Sequence, residues 1–266
     1  MIEKAKCRPV FYSIISALAI SFFWGVTTFF VQGQSEQLGV QILSLAISMV
    51  NIIFSILAVI LLGVINQING FKHVFRLRGL GKGLIVLIPV MAFFLLGLSL
   101  AINAMEYMNV SIEEIKVFPA IIFMQITSAF MQNVIFRGLL VTALLIKFSN
   151  TKSERVKGVF MASALYLIIY IPFNILSGSI DLMQLINTFV IGAGFCAAYL
   201  YSKNLLSIIL TQGIWQILSS GVNLFGVEGY PQSTPFAAAA LIVIILIMIV
   251  VLTVVFSRRA EHFHLR

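Results

Sequence analysis

Residues 235–259 of the chain read PFAAAALIVIILIMIVVLTVVFSRR. No charged residue occurs in 235–256, a run longer than the ~20 apolar residues that an α-helix needs to cross a bilayer. Arg258 and Arg259 follow directly, and a pair of cations behind an apolar run is typical of the point where a chain leaves the membrane. This stretch therefore predicts a transmembrane helix.

The composition of the chain extends this prediction to the whole protein. Of the 266 residues, 61% are hydrophobic and 10% are charged, whereas a soluble domain is about 25% charged. So little polar surface excludes a soluble enzyme. No loop is long enough for a second domain, so residues 1–266 are expected to form a single integral membrane domain. Apolar runs predict an all-α polytopic protein with eight spans, at about 9–31, 40–65, 83–104, 118–146, 158–175, 182–201, 205–222 and 235–256.

The positions of the cations predict how the chain is oriented. If the spans alternate in direction, 15 of the 17 Lys and Arg residues share one side, and six of the nine acids fall on the other. Cytosolic loops carry such an excess of cations, so both termini are predicted to be cytosolic. The net charge of +8 is then explained by cations in loops at the cytosolic face of the membrane, and no nucleic-acid partner is expected. The 15 residues are Lys4, Lys6, Arg8, Lys72, Arg76, Arg78, Lys82, Lys147, Lys152, Arg155, Lys157, Lys203, Arg258, Arg259 and Arg266.

A glycine-rich segment, Gly79-x-Gly81-x-Gly83, lies among these cations before the third span. Its spacing is similar to part of a phosphate-binding loop. No strand is predicted before it and no Lys-Ser or Lys-Thr follows, although such a loop needs both. We therefore interpret the segment as a basic, flexible turn.

Arg137 is the one charged residue inside a predicted span. A charge at membrane depth is costly and by default indicates a functional site. Asn133 lies four residues before Arg137 and is therefore expected on the same helix face. Two further polar pairs in other spans repeat this spacing: Tyr166 with Tyr170, and Gln212 with Gln216, beside Trp215.

These three pairs are predicted to lie at one depth in the membrane. At 1.5 Å rise per residue, they fall at about 13–22 Å from the predicted cytosolic edge. Unpaired polar groups cost several kcal/mol each in hydrocarbon, so the pairs should face one another or a wet cavity.

The segment Gln132-Asn133-x-x-Phe136-Arg137-Gly138 resembles the Glu-Glu-x-x-Phe-Arg-Gly motif of the CAAX-protease and bacteriocin-processing (CPBP, or Abi) family of intramembrane proteases. Tyr166-x-x-x-Tyr170 then falls where that family has Phe-x-x-x-His, and Gln212-x-x-x-Gln216 falls where it has His-x-x-x-Asn. The resemblance covers about residues 70–220. It implies a helical core like that of the family's proteases.

The resemblance also implies catalytic roles, from which this chain departs. In the family the paired glutamates activate water, and the histidines and the Asn assist and hold the oxyanion. Here amides replace both glutamates, and the histidine positions hold Tyr170 and Gln212. An amide takes no proton from water near neutral pH, and a Tyr with a pKa of about 10 is a poor general base. The degenerate motif positions are Gln132, Asn133, Arg137, Tyr166, Tyr170, Gln212 and Gln216.

We therefore expect no catalytic residue, no cofactor and no metal site in this chain. Three interpretations of the polar cluster stay open: polar glue that holds the helices in register, a remnant cleft that binds without cutting, and residual catalysis by other chemistry. The cleft residues would be Arg137, Asn133, Tyr170, Gln212, Trp215 and Gln216.

The function that these expectations favour is that of a pseudoprotease in a bacterial plasma membrane. It would act as a scaffold or regulator, and its partners would be the lipid bilayer and another integral membrane or cell-envelope protein. Members of the CPBP family serve in prenyl-protein processing, bacteriocin maturation and bacteriocin self-immunity. The alternatives are therefore a bacteriocin-immunity-like factor and a residually active peptidase. A small transporter is the alternative from a different class.

Overall fold

The computed structural model describes residues 9–33, 35–66, 77–103, 112–148, 150–176, 182–225 and 236–260. These ranges are helical almost throughout and contain no strand, so the predicted all-α class is confirmed. The elements are α1 (Pro9–Gln32), α2 (Ser35–Asn66), α3 (Leu80–Asn103), α4 (Ile112–Gln132), a π-helix (Asn133–Val141), α5 (Thr142–Lys147), α6 (Lys152–Leu176), α7 (Leu182–Ser202), α8 (Leu206–Phe225) and α9 (Phe236–Arg259).

Helices occur at all eight of the predicted spans. Among the described residues, six helical stretches are long and apolar enough to cross a membrane: Val10–Gln32, Gly39–Val64, Leu80–Leu100, Ile115–Leu145, Leu182–Ser202 and Ala239–Arg259. The other two helices, α6 and α8, occupy the predicted fifth and seventh spans and carry charged or amide side chains. The protein is thus a membrane protein with several apolar helices, while the number of eight spans and the cytosolic termini stay predictions.

A π-helix, Asn133–Val141, lies at the centre of the bundle and joins α4 to α5. All nine of its residues are buried, and it contacts α1, α2, α6 and α7. Its hydrogen bonds span five residues, since the Thr142 backbone N–H donates to the Arg137 carbonyl. The Thr142 hydroxyl also bonds that carbonyl, at 3.2 Å, and the Tyr199 hydroxyl, at 2.7 Å. The spacing of Asn133 and Arg137 predicts an α-helix here, and the structure corrects that local prediction.

The basic segment before α3 is held tightly against the turn that follows α7. A Cβ atom on Gly79, whose φ is 89°, would overlap the Ser202 carbonyl oxygen. The Asn204 side-chain amide donates to the Arg78 carbonyl at 3.3 Å. Glycine is required at this point because two backbones approach closely at a left-handed φ. The predicted turn is confirmed at residues 78–79, where it packs closely against another backbone, whereas Gly81 and Gly83 belong to α3.

The start of α6 is tied to the end of α9. The Thr151 N–H donates to the Glu154 carboxylate and the Glu154 N–H donates to the Thr151 hydroxyl, both at 3.1 Å, which is a capping box. Buried Arg155 donates to the carbonyls of Ser257, at 3.2 Å, and Arg258, at 3.3 Å. Arg155 therefore caps the last turn of α9 as well as contributing a cation. Two helix ends that the charge pattern predicts to be cytosolic lie together.

Candidate functional site

A network of amide and guanidinium groups joins the π-helix to α8 inside the bundle. Arg137 is 3% exposed and donates from Nη1 to Asn133 Oδ1 at 2.8 Å and to Gln212 Oε1 at 3.2 Å. Asn133 is fully buried and donates from Nδ2 to the Ala129 carbonyl at 2.7 Å and to Gln212 Oε1 at 3.1 Å. Polar residues that the helical rise predicts at one depth are thus in direct contact.

Gln132 and Gln216 extend this network. Gln212 Nε2 donates to Gln132 Oε1 at 2.6 Å, and Gln216 Nε2 reaches the same oxygen at 3.5 Å. Gln132 in turn donates from Nε2 to the Ser128 hydroxyl at 3.2 Å. Two buried atoms of the network, Arg137 Nε and Gln216 Oε1, have no hydrogen-bond partner. The network therefore does not satisfy all of its own donors and acceptors.

Aromatic rings from α6 and α7 lie against the Arg137 guanidinium. Arg137 Cζ lies 4.6 Å from the ring centroid of Phe195 and 5.4 Å from that of Tyr166. Phe136 makes an edge-to-face contact with the same Tyr166 ring, with centroids 4.8 Å apart. Such cation–π contacts contribute about 2 kcal/mol when desolvated. Tyr166 therefore joins the cluster through its ring, and Phe195 joins it although nothing in its apolar segment predicts this role.

The sequence also predicts Trp215 and Tyr170 as cleft residues, but the structure does not place either side chain in the hydrogen-bond network. The Trp215 ring stacks on Phe94 of α3, with centroids 4.5 Å apart, and lines a small apolar cavity of about 70 Å³. Trp215 therefore packs α8 against α3 and is not part of the hydrogen-bond network. Tyr170 belongs to α6, but its side chain lies outside the described residues, so its place beside Arg137 stays a prediction.

The side chains that meet at this site donate and accept hydrogen bonds. Among the side chains that the structure describes, Glu154 is the one carboxylate, and it lies at the start of α6. The three histidines, at positions 73, 262 and 264, lie outside the described residues. Within the described residues, no group of possible metal ligands occurs. The arrangement can hold a polar group by hydrogen bonds beside a buried positive charge.

Residues 114–218 match the family model described as type II CAAX prenyl endopeptidase Rce1-like. The resemblance to the CPBP family is confirmed. The matched segment runs from α4 to α8 and contains all five residues of the hydrogen-bond network: Gln132, Asn133, Arg137, Gln212 and Gln216. No curated protein and no solved structure matches the chain.

A second polar cluster links α4, within the matched segment, to α1 and α2. Trp24 Nε1 donates to Asn51 Oδ1 at 2.9 Å, and Asn51 Nδ2 donates to Thr127 Oγ1 at 3.3 Å. Asn51 is fully buried. Sequence reasoning missed this cluster, although an asparagine in the middle of an apolar span is a signal that could have found it.

We expect Trp24→Phe and Asn51→Leu to be coupled, because each substitution removes one partner of the same interhelical hydrogen bond. The coupling free energy of unfolding should be about 0.6 kcal/mol and below about 1.7 kcal/mol, the range found for such bonds in membranes. A double-mutant cycle of unfolding in detergent measures it. Thr27→Val is the control for Trp24→Phe, since the Thr27 hydroxyl donates to the Phe23 carbonyl of its own helix. Its effect should add to that of Asn51→Leu.

Proposed function

We propose that this protein is a catalytically inactive CPBP homologue, a pseudoprotease that acts as a membrane scaffold or regulator of another membrane or cell-envelope protein. Gln132 and Asn133 stand at the positions of the family's two glutamates. The observation that carries the proposal is that the side-chain oxygen of each accepts a hydrogen bond from another residue of the protein. Gln132 Oε1 accepts from Gln212, and Asn133 Oδ1 accepts from Arg137.

The chemistry of these groups supports inactivity. A general base must accept a proton from the attacking water, and a neutral amide does not do so near neutral pH. The lone pairs that a catalytic carboxylate would direct at water are used here by donors within the protein, at 2.6 and 2.8 Å. Gln212, at the second histidine position, is likewise an amide.

The same network supports a role in binding. A cluster that served only to hold helices together should satisfy its buried polar atoms, because each unsatisfied one costs about 1–3 kcal/mol. Arg137 Nε and Gln216 Oε1 are buried and have no hydrogen-bond partner among the residues that the structure describes. A peptide or helix of a partner protein would have to displace neighbouring side chains to reach these two atoms, which would then supply one donor and one acceptor.

Restoring both glutamates should not restore proteolysis. In Gln132→Glu/Asn133→Glu a general base is present, but Tyr170 and Gln212 still occupy the histidine positions, so the oxyanion and the leaving group lack their assistance. We expect the tagged full-length protein, purified from its native membranes in mild detergent, to carry one partner in a fixed molar ratio. The wild type and the variant should retain the same partner at the same length.

Quantitative mass spectrometry of the purified complexes tests this result, with membranes from a strain that lacks the gene as the control. A shortened form of the partner that accumulates with the wild type and disappears in the deletion strain would show an active peptidase. Recovery of no partner at a fixed ratio would contradict the scaffold role.

A further inference from the structure

A basic cavity lies at the end of the bundle where α3 begins and α7 and α9 end. Its volume is about 420 Å³, within the roughly 300–1,000 Å³ that is usual for small-molecule sites. Among the described residues, four with cationic side chains line it: Arg78, Lys82, Lys203 and Arg259. They come from three segments that are far apart in the sequence, so their convergence is a property of the tertiary structure.

The backbone around this cavity is held in place by specific contacts. Gly79, which also lines the cavity, fits against the Ser202 carbonyl so closely that a Cβ atom would overlap it. The Asn204 side chain bonds the Arg78 carbonyl, and the Asn204 N–H donates to the Ser202 hydroxyl at 3.2 Å. The segment with Arg78 and the turn after α7 are therefore fixed relative to each other before any ligand binds.

Lys203 occupies an unusual backbone conformation in this turn. Its φ is 52°, and its N–H donates to the Tyr199 carbonyl at 2.8 Å, which ends α7. Glycine or asparagine is common at a left-handed position that ends a helix, because other side chains are strained there. A lysine that lines the cavity at this position has a conformational cost, which is a pattern typical of functional sites.

The lining of the cavity selects an anionic ligand. Four like charges in one concave space repel one another, and no carboxylate occurs among the residues described as lining it. A phosphoryl group carries several acceptor oxygens and pairs with guanidinium groups through two parallel hydrogen bonds, while lysine adds a point charge. Basic pockets between membrane helices also bind the head groups of anionic lipids.

We propose that this cavity binds a phosphoryl group, carried either by the head group of an anionic phospholipid or by a soluble phosphate compound. The site does not depend on the amide network, and the proposal stands whether or not the protein is a pseudoprotease. It differs from a phosphate-binding loop, since the ligand is held by side chains from three helix ends.

The test measures binding to the full-length protein in a neutral detergent at constant ionic strength. The probes are dihexanoyl phosphatidylglycerol, dihexanoyl phosphatidylcholine as the zwitterionic control, and inorganic pyrophosphate. The cavity variant is Lys82→Gln/Arg259→Gln. The matched control is Lys152→Gln/Arg258→Gln, which removes one lysine and one arginine at exposed positions of α6 and α9 that do not line the cavity.

We expect the cavity variant to raise the Kd of an anionic probe about tenfold or more, because two charge-assisted contacts are lost. The control should change it less than about twofold, since neither of its two side chains lines the cavity and exposed charges are screened by salt. Both variants should keep the elution volume and the unfolding temperature of the wild type without ligand. Phosphatidylglycerol binding without competition from pyrophosphate assigns the site to a lipid, and tighter binding of pyrophosphate assigns it to a soluble compound. Equal losses in the two variants, or no binding of either anionic probe, would overturn the proposal.

Discussion

Arg137→Leu is expected to lower the free energy of unfolding by about 2–3 kcal/mol, because a buried acceptor loses its charged donor. Asn133 Oδ1 is fully buried and accepts from Arg137 at 2.8 Å. The cation–π contact with Phe195 is lost as well. The substitution also removes the penalty of burying a charge, which offsets part of this loss. Thermal and denaturant unfolding of the purified protein in detergent measure the difference.

Three further variants separate this effect from a general effect of removing a cation. Arg137→Lys keeps the charge but has no planar guanidinium, so we expect a smaller loss than in Arg137→Leu. Arg137→Leu/Asn133→Leu removes both partners of the bond, and its loss should be smaller than the sum of the two single losses. Arg258→Leu, at an exposed position on α9, should leave the free energy of unfolding within about 0.5 kcal/mol of the wild type. Unchanged stability in Arg137→Leu would contradict a structural role for Arg137.

Gly79→Ala is expected to have an effect at least as large, about 2–5 kcal/mol of destabilisation. The φ of Gly79 is 89°, which L-residues rarely adopt, and the added Cβ atom would overlap the Ser202 carbonyl oxygen. The backbone near Asn204 would have to move, which would weaken its hydrogen bond to the Arg78 carbonyl. Unfolding measurements on the full-length protein should show this loss.

Gly81→Ala is the matched control, two residues further along the same segment. Apart from Gly81 itself, its chain neighbours and the nearby backbone of its own helix, no described atom lies within 4 Å of a Cβ built on Gly81, which belongs to helix α3. Alanine is favoured over glycine in a helix by about 0.8–1 kcal/mol, so this variant should be unchanged or more stable. If Gly79→Ala were as stable as Gly81→Ala, the close approach between this segment and the turn after α7 would not exist in the protein.

Membership of the amide network could be predicted from the sequence. Asn133 and Arg137 lie four residues apart, and Gln212 falls at the same depth on another span. Because unpaired polar groups are costly in hydrocarbon, such side chains must meet. The pairing of individual atoms could not be predicted, since it depends on how each helix is rotated. Trp215 precedes Gln216 in the sequence but points about 100° away around the helix, and it stacks on Phe94 instead.

The sequence by itself determined the all-α membrane class, the positions of the helices and the resemblance to the CPBP family. These properties follow from apolar runs and residue spacing, which are local in the chain. Only the tertiary structure decided that a π-helix carries Asn133 and Arg137, and that Gly79 lies against the turn after α7. It also decided that Arg78, Lys203 and Arg259 line one cavity. The physical reason is that such approaches depend on the rotation and axial shift of each helix, which packing across the whole bundle sets.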